Sequence, residues 1–267
     1  MNVGRLKGKI VTDLIAEVKP ETMVELGGYV GYSAILFGDA LRRAGGKRYL
    51  SLERNPEFAA VSNMLVDLAG LRDIVRIIVG RSDLSLHKLY TSGELKHIEL
   101  MFLDHYKPAY TTDLKLCEHY GMVSPGTVLA ADNVIYPGNP PYLEYVRSSV
   151  EQKRKAANEG AGKGYNFEGI KERTKNQYRN KEGDEKPALD FVGNPNLVYE
   201  SKLVNSFEPT GQPVSFSIFR YDDLVADSGR TVSRSRDASA WNRNPDSDAP
   251  SGALDLVELE LVSNLDS

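Results

Sequence analysis

A single cysteine, Cys117, stands among 267 residues. One thiol closes no intramolecular disulfide, so the chain fits a reducing compartment and the cytoplasm is its expected location. No apolar run approaches the length that crosses a bilayer, so no membrane partner is expected. The first residues, Met1 to Gly4, carry no hydrophobic signal segment. An excess of one charge is lacking too. The 33 Lys and Arg against 37 Asp and Glu leave a net charge of −4, which gives no electrostatic case for a nucleic-acid partner. The one basic run of the charged segment from Glu151 to Leu189, Lys153-Arg154-Lys155, is expected to be a solvated surface. There are no internal repeats. What the chain does have is 41% apolar residues, enough for one sizeable core.

Those residues alternate in period along the first two thirds of the chain. Ile10, Leu14, Ile15 and Val18 recur at helical spacing and Pro20 ends that helix. Strands are expected at Thr22 to Leu26, Arg48 to Leu52, Ile74 to Val79, Ile98 to Leu103 and Val128 to Ala131. Between them, helices are expected at Ser33 to Arg43, from Pro56 to about Leu68, at Ser82 to Tyr90 and around Leu114 to Tyr120. Such alternation predicts an α/β fold with a doubly wound, Rossmann-like, mostly parallel sheet. Two late strands, Leu197 to Val204 and Val214 to Tyr221, follow each other too closely for a crossover and read as a terminal antiparallel pair. One domain over residues 1–221 is therefore expected, with a solvated insertion loop at 151–190. Residues 222–267 are acidic and rich in Ser, Asp and Asn, and are expected to be a disordered tail.

The chemistry concentrates where strands end. Met101-Phe102-Leu103 runs straight into Asp104-His105-Tyr106-Lys107. Val128-Leu129-Ala130-Ala131 runs into Asp132-Asn133. In open α/β sheets, ligands bind at the carboxyl ends of the strands. Two parallel strands thus bring Asp104, Asp132 and Asn133 to one rim, and three oxygen ligands fit a hard cation such as Mg²⁺. A strand-end Asp also serves as a helix cap or turn residue, but the paired clusters favour the site.

The first strand-to-helix turn, Glu25-Leu26-Gly27-Gly28-Tyr29-Val30-Gly31-Tyr32-Ser33, lacks the G-x-G-x-x-G of a dinucleotide site, because Tyr29 stands where the second glycine belongs. This argues against a nucleotide-dependent oxidoreductase. Glycines still let the backbone approach a ligand, and Glu53 ends strand two, where an acid accepts hydrogen bonds from two ribose hydroxyls. The pair points to a nucleoside-type cofactor.

With these motifs the chain resembles the catechol O-methyltransferases. The residues that carry the resemblance are Met1 to Gly4, Glu25 to Ala34, Asn55-Pro56, Ala69-Gly70-Leu71, Phe102 to Lys107, Ala131 to Ile135 and Pro137-Gly138. It covers about Met1 to Val150 and, weakly, Leu197 to Tyr221. It implies S-adenosylmethionine and Mg²⁺ as cofactors, with Asp104, Asp132 and Asn133 as metal ligands and Lys107 as general base. It implies that Met1, Val3, Glu25, Gly27, Tyr29, Ser33, Glu53, Ser82, Asp104 and His105 surround the cofactor. Tyr106, Lys107, Asn133 and Pro137 would face the substrate, and Glu200 would hold its second hydroxyl as a further catalytic residue. Tyr106 stands where the family has tryptophan.

The implied reaction is methyl transfer to one hydroxyl of a small catechol by a monomeric enzyme. A phenol is a weak nucleophile until ionised. A metal-chelated catechol is fixed and favoured as phenolate, and Lys107 would take its proton. Family members carry one or two helices upstream of the position of Met1 that cover the pocket, so the chain as given is expected to be a poor enzyme. The competing expectation is a non-catalytic cofactor-binding or interaction protein that keeps the fold without this lid.

Overall fold

The computed structural model describes residues 3–160, 164–176, 186–207 and 213–222, all within one compact unit, Met1–Asp223. The tail expected to be disordered lies outside the described residues from 223 onward, as does Met1.

Seven strands form one sheet. They are β1 (Thr22–Leu26), β2 (Arg48–Glu53), β3 (Val75–Val79), β4 (Leu100–Leu103), β5 (Val128–Ala131), β6 (Val198–Phe207) and β7 (Pro213–Asp222), in the order β3-β2-β1-β4-β5-β7-β6. The first five pair in parallel, as the alternation predicts. β7 lies antiparallel between β5 and β6. All five residues of β1 are buried, because strands at the centre of a doubly wound sheet are covered on both faces.

Helices cover both faces. α1 (Gly4–Val18), α2 (Tyr32–Arg43) and α3 (Pro56–Leu68) pack Val11, Ile15, Phe37, Leu41 and Val66 against Met23, Tyr49, Leu100 and Phe102. α4 (Ser82–Thr91), α5 (Ala109–His119) and α6 (Pro140–Arg147) pack Leu86, Leu89, Leu114, Tyr142 and Val146 against Val24, Leu50, Met101 and Leu129. Successive strand residues therefore feed opposite cores, the two-residue period of a strand made visible. Cys117 is buried in α5, the small apolar residue that its sequence context suggests.

The insertion departs from the expected solvated loop. It opens as a helix, α7 (Val150–Asn158), started by a capping box in which Ser149 and Gln152 satisfy each other's backbone amides. Lys153 also departs from the solvated-surface expectation, being only 4% exposed. Its ammonium donates to the Leu197 carbonyl at 2.8 Å and lies over the rings of Tyr145 (4.4 Å) and Tyr199 (4.7 Å). Those two phenols and the Asn194 amide donate to the buried Glu118 carboxylate. Burial pushes that carboxyl up, and the nearby Lys153 charge opposes the shift. A charged composition conceals this cluster because its partners come from α5, α6 and β6, far apart in sequence. Among the described residues no helix is long and apolar enough to cross a membrane.

Candidate active site

The candidate residues gather at the carboxyl ends of β1, β2, β4 and β5. Gly27 has φ +94°, and a side chain there would place Cβ 2.6 Å from the Asp104 carbonyl oxygen. Glycine is thus what lets the first turn press against the end of β4. Gly31 has φ +89° and heads α2, where a Cβ would meet Ser62. Between them Tyr29 takes φ +45°, a conformation unfavourable for an aromatic residue. Glu53 holds it there. One of its oxygens accepts the Tyr29 amide and the other the Asn55 amide, both at 2.7 Å. A carboxylate oxygen can accept more than one donor, so these bonds leave Glu53 able to receive hydroxyls from a ligand.

Among the described residues, Glu25 Oε1, His105 Nδ1 and, against Gly31, Ser62 Oγ are buried polar atoms beside this turn with no hydrogen-bond partner. Leaving buried polar atoms unpaired is costly, so their place at a glycine turn points to a polar ligand there. Burial pushes the Glu25 carboxyl up to about 7. Its other oxygen accepts the Ser51 hydroxyl at 2.5 Å. His105 is held by Asp113 at 2.8 Å through Nε2 and by stacking on Tyr110. Ser33 and Val3 are buried at the starts of α2 and α1, and Ser82 is half-buried at the start of α4. Such a cradle of glycine turn, ribose-type acid and orphaned polar atoms fits an aminoacyl nucleoside.

On the neighbouring strand ends, Asp104, Lys107, Asp132 and Asn133 come together. Lys107 is 3% exposed. Its ammonium donates to Tyr110 Oη at 2.6 Å, and to Asp104 Oδ1 and the Asp132 carbonyl at 3.2 Å each. The Tyr110 hydroxyl in turn donates to the Leu103 carbonyl. Asn139 donates to the Lys107 carbonyl at 2.7 Å, pinning the loop that carries the lysine. Asn133 adopts φ +59°, and its amide donates to Asp132 Oδ1 at 2.8 Å. Burial, then the charge of Asp104, pushes the Asp132 carboxyl up to about 6 against the pull of Lys107 and Lys7.

Lys7 has no signature in the sequence. It reaches from α1 to Asp132 Oδ2 at 2.5 Å and is 1% exposed. No local pattern announces a contact across 125 residues; a lysine on the buried stripe of an amphipathic helix is the only hint. Breaking a buried ion pair strands one charge, at about 3–5 kcal/mol. Lys7→Met should accordingly lower unfolding stability by about that amount, read as an earlier denaturant midpoint. An unchanged midpoint would mean that Asp132 is supported without it.

Among the described residues no three His, Cys, Asp or Glu side chains gather as a metal-binding group. The candidate donors are two carboxylates and a carboxamide, a hard-oxygen set suited to Mg²⁺. Burial raises Asp132 most and the charge of Asp104 adds to it; a cation between the acids would relieve that second part. The donor types fit such an ion, which would share the acids with Lys7 and Lys107.

Other expected positions fare differently. Tyr106 lies half-buried between His105 and Lys107. The side chain of Pro137 lies outside the described residues, although its backbone joins a wide helical turn at 134–138. Glu200 is a correction. It pairs with Arg220 on β7, which pairs with Val128 at the start of β5. Asp132 follows the other end of β5, so Glu200 sits about four residues, roughly 13 Å, down the sheet from the rim. It is exposed there, and it does not join the site.

Comparisons with known proteins agree with this architecture. Residues 24–134 match a family model described as a methyltransferase domain. The chain is 42% identical over 149 residues to catechol O-methyltransferase of Bos taurus, covering 56% of this chain and 54% of that protein. It is 42% identical over 147 residues to catechol O-methyltransferase of Sus scrofa, covering 55% of this chain and 78% of that protein. Transmembrane O-methyltransferase of Homo sapiens is 38% identical over 148 residues, covering 55% and 50%. Apart from the Sus scrofa protein, the chain spans about half the length of these relatives. A solved O-methyltransferase from Bacillus cereus in complex with SAH superimposes with TM-score 0.53 at 17% identity, over 81% of this chain and 80% of that one. A putative O-methyltransferase from Klebsiella pneumoniae gives 0.52 at 23% identity, over 80% and 79%. At these identities the structural likeness establishes the fold.

Proposed function

Because the chain belongs to the catechol O-methyltransferase family, we propose that it moves a methyl group from S-adenosylmethionine to one hydroxyl of a small catechol, with Mg²⁺. The observation that carries the reading is the cluster of Asp104, Lys107, Asp132 and Asn133 at the ends of β4 and β5, on the same rim as the Gly27 turn after the neighbouring β1 and Glu53 at the end of β2. Two sites of different chemistry, one for a nucleoside and one for hard cations, then share a rim.

The chain's own residues have distinct tasks. Glu53 would accept the ribose hydroxyls alongside its two backbone amides, and Glu25 Oε1 and His105 Nδ1 would find partners on the cofactor. Asp104, Asp132 and Asn133 would hold the divalent ion. When bound, that ion supplies positive charge that favours an ionised acceptor hydroxyl. Lys107 would take the proton from that hydroxyl. Its ammonium donates to three acceptors in the structure, so to act as base it must first give one of these protons to solvent and turn the freed lone pair of the neutral amine to the acceptor hydroxyl. Burial of Lys107, Asp132 and Asn133 would exclude water from the reaction and help orient the acceptor hydroxyl, on which the rate depends strongly. The domain reading belongs to the same proposal: a methyltransferase domain over residues 1–221 with a tail from 222. Incubation with methyl-labelled S-adenosylmethionine and a catechol tests the proposal, a labelled monomethyl ether being the expected product.

Glu53→Ala should weaken S-adenosylmethionine binding by about 1.5–3 kcal/mol, since a charged acceptor of hydroxyl donors is lost. It also frees the Tyr29 amide, so part of the loss is a loosened turn; Glu53→Gln, which keeps an acceptor for that amide, should lose less. Calorimetric titration giving the wild-type affinity for Glu53→Ala would remove this residue from the cofactor site.

A further inference from the structure

The insertion has contacts that a solvated loop does not need. Each helix of a doubly wound sheet starts at the carboxyl rim, so the first residues of α4 stand beside the candidate site. The insertion is fastened there on both sides of Ser82. Arg81 donates to the Lys186 carbonyl at 2.9 Å, and the Ala188 amide donates to Asp83 Oδ2 at 2.8 Å. Tyr165 closes the gap. Its ring meets that of Tyr106 edge to face, with centroids 5.3 Å apart and planes at 83°. Its hydroxyl lies 3.4 Å from the Arg81 guanidinium. Further along, Phe191 stacks on His119 and the Asn194 amide donates to Glu118. Residues 186–194 thus reach from the first residues of α4 to the last residues of α5.

We propose that Tyr165 is a wall of the acceptor pocket, continuing the surface of Tyr106. The proposal rests on the reading of Tyr106 as an acceptor-side residue. Tyr106 is smaller than the indole that the family resemblance leads one to expect, and a second ring set edge-on against it restores aromatic surface. The acceptor class is therefore a flat aromatic diol narrow enough to lie against two tyrosine rings. A ring pair of this kind carries affinity beyond its area.

The test is binding of 4-nitrocatechol, whose absorption changes when it ionises, so that affinity is read without turnover. Wild type, Tyr165→Phe, Tyr165→Leu and Tyr165→Ala are titrated in Mg²⁺ and S-adenosylhomocysteine, with calorimetric S-adenosylhomocysteine affinity and thermal midpoint alongside. Tyr165→Ala should bind nitrocatechol about tenfold more weakly, Tyr165→Leu should fall between, and Tyr165→Phe should match wild type. S-adenosylhomocysteine affinity should be unchanged. Equal nitrocatechol affinity in all four chains overturns the proposal, as does parallel loss of both ligands, which would make Tyr165 a support of the cofactor site. If Tyr165→Ala does not fold, Tyr165→Leu against Tyr165→Phe decides the matter: weaker nitrocatechol binding by the leucine chain supports the proposal and equal binding overturns it. A wild type that binds nitrocatechol but transfers no methyl group fails the functional reading and leaves this one standing. A wild type that does not bind it ends both.

Discussion

Lys107→Ala should reduce methyl transfer by about 10²–10⁴-fold, the range of a lost general base, while S-adenosylmethionine affinity stays near that of the wild type. The asymmetry follows from position. Lys107 donates to Asp104, Tyr110 and the Asp132 carbonyl and to neither Glu53 nor the Gly27 turn; it reaches the cofactor side only through Asp104 and through Tyr110, on which His105 stacks. The substitution also removes a cation that stands against the two acids, so a stability loss is expected. Lys107→Arg serves as the control: it keeps a charge but cannot give up its proton. A general base predicts that the arginine chain folds better than the alanine chain and is as slow. Near-normal kcat in Lys107→Ala would reduce the lysine to a structural counter-ion. Measuring kcat and cofactor affinity separately distinguishes the two.

Asp132→Ala should abolish metal-dependent transfer and weaken divalent-ion binding by at least about 100-fold, beyond the loss typical of an outer-shell partner. The substitution acts on folding too, because Asp132 Oδ2 is bound to the buried Lys7 at 2.5 Å. Alanine strands that lysine, at about 3–5 kcal/mol, so part of the chain would unfold for reasons unrelated to catalysis. Asp132→Asn keeps the shape and an oxygen for the Asn133 amide while removing the charge. If the ion is held by charge, Asp132→Asn folds better than Asp132→Ala yet binds Mn²⁺, read by its electron spin resonance, nearly as poorly. Wild-type Mn²⁺ affinity in Asp132→Asn would remove this carboxylate from the metal site.

What the sequence discloses depends on how local the determinant is. β1, β4 and β5 are buried on both faces, so each reads as an apolar run with its chemistry immediately after it. Asp104, Lys107, Asp132 and Asn133 are legible for that reason. Glu53 is legible as an acid ending β2, but not its bonds to the Tyr29 and Asn55 amides. The segment after β5 is harder. Pro140 and Pro141 occupy the first turn of α6, where proline is preorganised, but the alternation of strands and helices does not announce this helix. The preceding wide turn at 134–138 leaves no sequence period to detect. Glu200 is misplaced by the resemblance because strand register is fixed by pairing with β7, and an insertion of variable length upstream destroys any count along the chain. Lys7, Lys153 and Tyr165 escape notice because their partners are distant in sequence and their residue types are ordinarily exposed.

If this rim performs divalent-ion-dependent methyl transfer to a catechol, the wild-type chain forms a labelled monomethyl catechol in Mg²⁺, forms none in excess EDTA, and forms it again once Mg²⁺ is restored. Undiminished product in EDTA would contradict the metal assignment. No product under any condition, with S-adenosylhomocysteine still bound, would contradict the enzyme and leave a cofactor-binding protein on a methyltransferase fold.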